Sequence, residues 1–132
     1  MSSKIGFIGL GRMGKGMASN LQKKGFQLMV LDVNPAPVHE LVALGATAAQ
    51  SVAQIARECG IIITMLPTAM EVEQVATGAD GVFAHAAPGS VFMDMSTIDP
   101  LATDRLQAAA LARGMSVVDA PVGRLAEHAD RG

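Results

Sequence analysis

The sequence is poor in residues that mark several classes of protein. Cys59 is the single cysteine among its 132 residues, tryptophan and tyrosine are absent, and there are three histidines. A lone cysteine excludes an internal disulfide and favours a reducing compartment, so we expect a cytoplasmic protein. Because His39, His85 and His128 lack ligand spacing, we expect no metal site.

Charge and hydropathy exclude further classes. A formal net charge of −2 gives no reason to expect nucleic acid or an anionic membrane as a partner. No apolar run approaches the roughly 20 residues that a membrane helix needs, and Lys4 is followed too soon by a glycine-rich segment for a signal peptide. Half of the residues are hydrophobic and 17% are charged. This is the composition of a globular protein, and the length suits one domain over residues 1–132.

The sequence does contain a regular alternation of apolar strand-like runs and helical patterns. Strands are predicted at residues 4–10, 26–32, 46–48, 61–65, 91–95 and 116–120. Helices are predicted at 13–24, 37–44 and 51–58, from a Thr68 cap to about 77, and from Asp99 and Pro100 to Gly114. Repeated strand–helix–strand units imply parallel strands with right-handed crossovers. The predicted fold is α/β, a doubly wound parallel sheet with strand order 3-2-1-4-5-6.

The segment "GLGRMGKG", residues 9–16, fits two phosphate-binding motifs. An NTPase loop has the spacing G-x-x-x-x-G-K and needs Ser or Thr directly after the lysine, because that hydroxyl ligates Mg²⁺. Here Lys15 is followed by Gly16. The NTPase interpretation fails at a chemically essential position.

The dinucleotide interpretation, G-x-G-x-x-G, succeeds on the same residues. Gly9 permits a tight turn after the first strand, Gly11 lets backbone approach a pyrophosphate, and Gly14 lets the helix pack closely on the strand. The helix N-terminus offers N–H groups and a partial positive charge to phosphates. A glycine turn needed only for packing is the alternative.

Asp32, at the end of the next predicted strand and 23 residues after Gly9, strengthens the dinucleotide interpretation. Its carboxylate can accept hydrogen bonds from both ribose hydroxyls of adenosine and would repel the 2′-phosphate of NADP. NAD is therefore the expected cofactor, with NADP disfavoured. Asp32 could also cap the turn before Pro35, and this role does not exclude the first.

Four segments together resemble the β-hydroxyacid dehydrogenases, the group of 3-hydroxyisobutyrate dehydrogenase, tartronate semialdehyde reductase and 6-phosphogluconate dehydrogenase. They are "GFIGLGRMGKGMASNL", "TMLPTAMEVEQV", "MDMSTIDP" and "VDAPVGR". The resemblance extends over essentially the whole chain. It implies that residues 1–132 are the N-terminal, Rossmann-like NAD-binding domain of such an enzyme, ending shortly after the sixth strand, and that the family's all-α C-terminal domain is absent.

The resemblance also implies roles for particular residues. The backbone of Arg12 and Met13 would face the pyrophosphate, Leu66 and Pro67 would lie along the adenosine, and Thr97 would reach the nicotinamide half. Each position has a structural alternative. Leu66 and Pro67 could be only a strand end and a turn, and Thr97 could belong to a helix-entry cap.

The sequence departs from the family pattern at Gly123 and Arg124, where members commonly have Ser-Gly. A guanidinium can bind a planar or tetrahedral anion through paired hydrogen bonds. The variant resembles the 3-sulfolactaldehyde reductase branch, in which this arginine would meet the substrate sulfonate. Alternatively, Arg124 is a surface residue paired with Glu127 or Asp130.

By resemblance, the expected activity is hydride transfer between NAD(H) and a small anionic 3-hydroxy acid or its semialdehyde. The family's catalytic lysine would lie beyond residue 132, since Lys24 is the last lysine here, so this portion alone is expected to be inactive. The full-length protein is expected to be a homo-oligomer. A non-catalytic NAD-binding module and an NADPH-dependent reductase of the tartronate semialdehyde type remain alternatives.

Overall fold

The computed structural model describes residues 4–96 and 99–119, which form one six-stranded parallel sheet flanked by helices. The strands are β1 (Ile5–Ile8), β2 (Leu28–Leu31), β3 (Thr47–Ala48), β4 (Ile61–Thr64), β5 (Val91–Asp94) and β6 (Ser116–Asp119). The helices are α1 (Arg12–Lys23), α2 (Pro35–Ala43), α3 (Val52–Glu58), α4 (Ala69–Thr77), α5 (Val82–His85) and α6 (Pro100–Leu111). The strand order is β3-β2-β1-β4-β5-β6, so the predicted fold class and topology are confirmed.

The central strand β1 pairs with β2 on one side and β4 on the other. All four of its residues are buried, as its unbroken apolar run predicts for a strand covered on both faces. Because side chains alternate along a strand, Phe7 and Ile8 belong to separate core clusters. One cluster contains Phe92 and Leu106, and the other contains Leu41. The sheet is thus the middle layer of three.

Side-chain oxygen atoms and glycines mark several helix ends, and Thr68, Asp99 and Gly114 are among those predicted. Ser51, Thr68 and Asp99 cap α3, α4 and α6 by accepting a backbone N–H from the first turn. Gly25 and Gly114 follow the ends of α1 and α6 with φ angles of +92° and +72°, a region that glycine reaches without strain.

Two helices begin earlier than predicted. The α2 helix begins at Pro35, not at residue 37, because the Asn34 side chain caps it by accepting the Ala36 N–H at 3.1 Å. Proline is well suited to the first helical position, where its missing N–H has no partner to lose. The α1 helix begins at Arg12 instead of residue 13.

The face of α1 that meets the sheet combines small buried residues with larger, partly buried ones. Gly14 and Ala18 are buried, whereas Met17 and Leu21 are partly buried and pack against the core. Small residues therefore form the contact with the sheet, and this lets the helix axis approach β1 closely. The short α5 helix was not predicted, since four residues carry too little periodicity to signal a helix.

Candidate functional site

A cavity of about 760 Å³ opens at the carboxyl edge of the sheet. Seven residues singled out from the sequence line it: Gly9, Gly11, Met13, Gly14, Asp32, Leu66 and Pro67. Ligands of open parallel sheets bind at this edge, where the chain leaves the strands. The structure thus brings most of the predicted cofactor residues to one place.

The glycine turn between β1 and α1 is packed too closely for side chains. Gly9 has φ +100°, and a Cβ there would overlap the carbonyl oxygen of Met65. A Cβ on Gly14 would overlap the carbonyl oxygen of Gly9. Both positions therefore require glycine for packing, whatever the loop binds.

The amino end of α1 is open towards solvent and the cavity. Gly11 is its N-cap and supplies no side-chain hydrogen bond, and among the described residues other than its chain neighbours no heavy atom lies within 4 Å of a Cβ built on Gly11. The unfilled space and the N–H groups of the first turn suit an anion. Lys15, which an NTPase loop would direct to phosphates, instead pairs with Glu40 of α2 at 2.9 Å.

Asp32 ties the glycine turn to the end of β2. One carboxylate oxygen accepts the Leu10 N–H, and the other accepts the Asn34 N–H at 2.8 Å. The predicted turn-capping role is therefore present. Because an ionised carboxylate offers about four acceptor positions, two remain for ligand hydroxyl groups.

The sequence interpretation missed part of the cavity wall, formed by Val33, Val52, Glu71, Gln74 and Val75. The last three lie on α4 at spacings of three and four residues, which place them on one helix face. Glu71 also belongs to the helix cap, where its N–H donates to the Thr68 hydroxyl at 3.2 Å. The position of α4 after β4 was the signal that could have identified this face, since that helix begins at the ligand-binding edge.

A buried polar cluster joins the carboxyl ends of β4 and β5. The same Asp94 oxygen, Oδ1, accepts the Thr64 hydroxyl at 2.9 Å and the Ser96 N–H at 3.0 Å. The Ser96 hydroxyl oxygen accepts the Leu66 N–H at 2.7 Å. The cluster therefore connects the segments that follow the two strands.

Four predicted positions are incompletely described or undescribed. Thr97, Gly123 and Arg124 lie outside the described residues. Arg12 is the first residue of α1, and its place at the helix start agrees with a role for its backbone.

Residues 4–96 and 99–119 contain neither a candidate metal centre nor a reactive thiol. This part of the chain contains no group of three or more His, Cys, Asp or Glu residues that could hold a metal ion. Burial raises the pKa of the Cys59 thiol to about 11, so it is not a nucleophilic thiolate near neutral pH. No helix in the described ranges has the length and apolar character required to cross a membrane.

Comparison with known proteins agrees with the geometry of the site. The family described as the NAD binding domain of 6-phosphogluconate dehydrogenase matches residues 4–132. The chain is 48% identical over 128 residues to 3-sulfolactaldehyde reductase of Escherichia coli (strain K12), covering 97% of this chain and 43% of that protein. It is 44% identical over 119 residues to NAD-dependent L-serine dehydrogenase of Pseudomonas aeruginosa, covering 90% and 40%.

A solved structure shares the fold. The 3-hydroxyisobutyrate dehydrogenase of Mycobacterium tuberculosis, determined with L-serine, superposes with a TM-score of 0.90 at 33% identity. The match covers 99% of this chain and 44% of that one. The chain thus spans less than half the length of the relatives it matches.

Proposed function

Since the chain belongs to the family described as the NAD binding domain of 6-phosphogluconate dehydrogenase, we propose that residues 1–132 are the NAD-binding domain of a β-hydroxyacid dehydrogenase. The observation that carries this proposal is the 760 Å³ cavity lined by the glycine turn, Asp32 and the segment after β4. Its wall combines an open helix N-terminus with a carboxylate that has acceptor positions left. These two features match a pyrophosphate and an adjoining ribose.

Each part of the cavity is assigned to a part of NAD. The backbone N–H groups at Gly11, Arg12 and Met13 bind the pyrophosphate, and the two remaining acceptor positions of Asp32 bind the ribose hydroxyls. Leu66 and Pro67 cover the adenosine. Thr97 is assigned to the nicotinamide half on the resemblance alone.

The proposed reaction is hydride transfer to or from a small anionic 3-hydroxy acid or its semialdehyde, with NAD supplying the hydride acceptor or donor. Gly123 and Arg124 are proposed to hold the anionic end of the substrate, since a guanidinium binds carboxylate or sulfonate through paired hydrogen bonds. A lysine beyond residue 132 would act as general acid and base. The high identity to 3-sulfolactaldehyde reductase supports an anionic aldehyde as substrate.

Asp32 provides the test of the cofactor proposal. We expect calorimetry on the full-length protein to show tighter binding of NAD than of NADP. Asp32→Ala should weaken NAD binding by about 1–2 kcal/mol, the scale of hydrogen bonds to a charged group. The ratio of the NAD affinity to the NADP affinity should also fall. Asp80 is an exposed carboxylate that does not line the cavity. The Asp80→Ala variant is therefore the matched control, and its affinities for NAD and for NADP should be unchanged.

The opposing outcomes are distinct. Unchanged NAD affinity in Asp32→Ala would remove this residue from the site. Tighter wild-type binding of NADP would favour the NADPH-dependent reductase, and absence of binding to either dinucleotide would contradict the proposal. With sulfolactaldehyde, methylmalonate semialdehyde and tartronate semialdehyde as substrates, turnover by the full-length protein separates a reductase from a non-catalytic NAD-binding module.

A further inference from the structure

Three polar residues at the carboxyl ends of β4 and β5 are buried as deeply as the apolar core. Thr64, Asp94 and Ser96 are 0%, 2% and 1% exposed. Thr64 and Asp94 are register partners on adjacent parallel strands, so their side chains project from the same face of the sheet. Burial of polar groups is costly unless hydrogen bonds compensate for the lost water. Apolar side chains could join β4 and β5 at this place without the cost of burying polar groups.

The hydrogen bonds of this cluster hold backbone as well as side chains. Asp94 Oδ1 accepts both the Thr64 hydroxyl and the Ser96 N–H, and Ser96 Oγ accepts the Leu66 N–H. Asp94 Oδ2 has no hydrogen-bond partner among the described residues. One carboxylate oxygen therefore fixes the start of the segment after β5, and Ser96 joins that segment to the one after β4.

The cluster is also continuous with the glycine turn. The Met65 carbonyl oxygen occupies the place that a side chain on Gly9 would need, and the Met65 N–H donates to the Ile8 carbonyl at 2.9 Å. Leu66 follows Met65 and lines the cavity. The Met65 backbone thus holds the segment after β4 against the turn independently of Ser96, so the loss of Asp94 would displace the segment after β5 and leave the turn in place.

The strand order indicates which half of a bound dinucleotide would lie near this polar cluster. Asp32 follows β2, on one side of β1, while β4 and β5 lie on the other side. A dinucleotide whose pyrophosphate lies at the β1 turn and whose adenosine ribose lies at Asp32 must extend its other half towards β4 and β5. Ser96 is at the end of β5 and does not line the adenosine cavity.

We propose that Asp94 is a positioning residue that sets the nicotinamide half of the cofactor relative to the glycine turn. This inference rests on the proposed function. Asp94 acts through the Ser96 backbone and does not touch the cofactor. Hydride transfer needs the reacting atoms about 3–3.5 Å apart, so a carboxylate that holds two loop segments at a fixed separation would serve the reaction.

The test compares two ligands that differ by the nicotinamide. Calorimetry on the full-length protein would measure Kd for NADH and for ADP-ribose, which retains the adenosine and the pyrophosphate. Asp94→Ala should raise Kd for NADH about tenfold, as expected for one or two lost hydrogen bonds, and change Kd for ADP-ribose less than about twofold. The ratio of the two constants does not move in a variant that is merely less stable.

Three further variants sharpen the result. Asp94→Asn keeps an Oδ1 acceptor and should restore NADH binding to within about threefold of wild type. Thr64→Val removes one donor at equal volume, should show the same selective loss to a smaller degree, and decides the matter if Asp94→Ala does not fold. Ser90→Ala changes a buried serine at the opposite end of β5 whose hydroxyl has no partner among the described residues, and both affinities should be unchanged.

The outcomes separate this inference from the proposed function. If the wild-type protein binds neither NADH nor ADP-ribose, the proposed function fails and the inference fails with it. If the wild-type protein binds both, but Asp94→Ala and Thr64→Val weaken both ligands equally or neither, Asp94 is a structural residue. In that case the proposed function stands.

Discussion

The carboxylate of Asp32 serves the fold and faces the candidate ligand site at once. By accepting the Leu10 and Asn34 N–H groups, it fixes the turn that forms one wall of the cavity. Preorganised walls lower the ordering cost of binding. A loss of NAD affinity in Asp32→Ala would therefore combine the loss of the proposed ribose contact with a loosened turn. The ratio of the NAD and NADP affinities is the better measure of direct contact.

Replacing Gly9 or Gly25 by alanine distinguishes the cost of left-handed backbone strain from the cost of steric overlap. Both have φ near +100°, so alanine at either position incurs the left-handed strain of roughly 1–2 kcal/mol. Gly25 has open space around it, whereas a Cβ on Gly9 meets backbone of Met65 that has no flexible end to move. We expect Gly9→Ala to lower the free energy of unfolding by about 2 kcal/mol more than Gly25→Ala does. Urea denaturation measures both values, and equal losses would show that the turn can shift away from Met65.

At the scale of elements, sequence periodicity was sufficient for the sheet and insufficient for part of the cavity. Continuous apolar runs such as residues 61–65 identify buried strands, and the alternation with helices indicates that they are parallel. The strand order was predicted from the dinucleotide-binding fold. Caps at Ser51, Thr68 and Asp99 were predictable because a side-chain oxygen before a helix satisfies a free N–H locally. Val33, Gln74 and Val75 were not predicted as cavity residues, since they line it only because the segments that follow β2 and β4 meet across β1, which is a tertiary property.

The two ends of α4 offer a matched test of capping. Thr68 accepts the Glu71 N–H, a bond that satisfies one of the free donors at the helix start. Thr77 donates to the Glu73 carbonyl, which already serves the helix interior. Thr68→Ala should reduce the free energy of unfolding by about 1 kcal/mol, and Thr77→Ala should change it by less than about 0.5 kcal/mol. Thermal denaturation would reveal both effects, and a larger loss in Thr77→Ala would contradict the capping argument.

At the scale of the whole molecule, most of the buried polar side chains described lie at the edge of the sheet that carries the candidate site. Thr64, Asp94 and Ser96 account for three of the four buried polar residues described. The interior beneath them is apolar and contains Ile55, Ile62 and Phe92. A well-packed apolar core beneath hydrogen-bonded groups at the edge of the sheet keeps ligand-binding groups in fixed positions. Resemblance supplied Leu66, Pro67 and Thr97 as cofactor residues, but no local pattern predicted the Asp94 cluster, because its members are about 30 residues apart.

The buried thiol of Cys59 makes the free energy of unfolding depend on pH in the alkaline range. Burial among apolar groups disfavours the thiolate and is the main reason why the pKa rises from 9.0 to about 11, with a nearby Lys4 partly opposing the shift. A raised pKa for an acidic group means that the folded protein holds this proton more tightly than the unfolded chain does. The resulting stability is fully present below pH 9 and is lost as the pH rises to about 11. A shift of this size corresponds to about 2–3 kcal/mol.

The Cys59→Ala variant isolates this contribution. Its free energy of unfolding, measured by urea denaturation under reducing conditions from pH 8 to pH 11, should fall less steeply than that of the wild-type protein. The wild-type value should lose about 2 kcal/mol more over the interval, because every other side chain is common to both proteins. Parallel profiles would mean that the thiol meets water in the folded state, and the packing of Cys59 against Gly6 and Ile55 would then have to be looser than the structure shows.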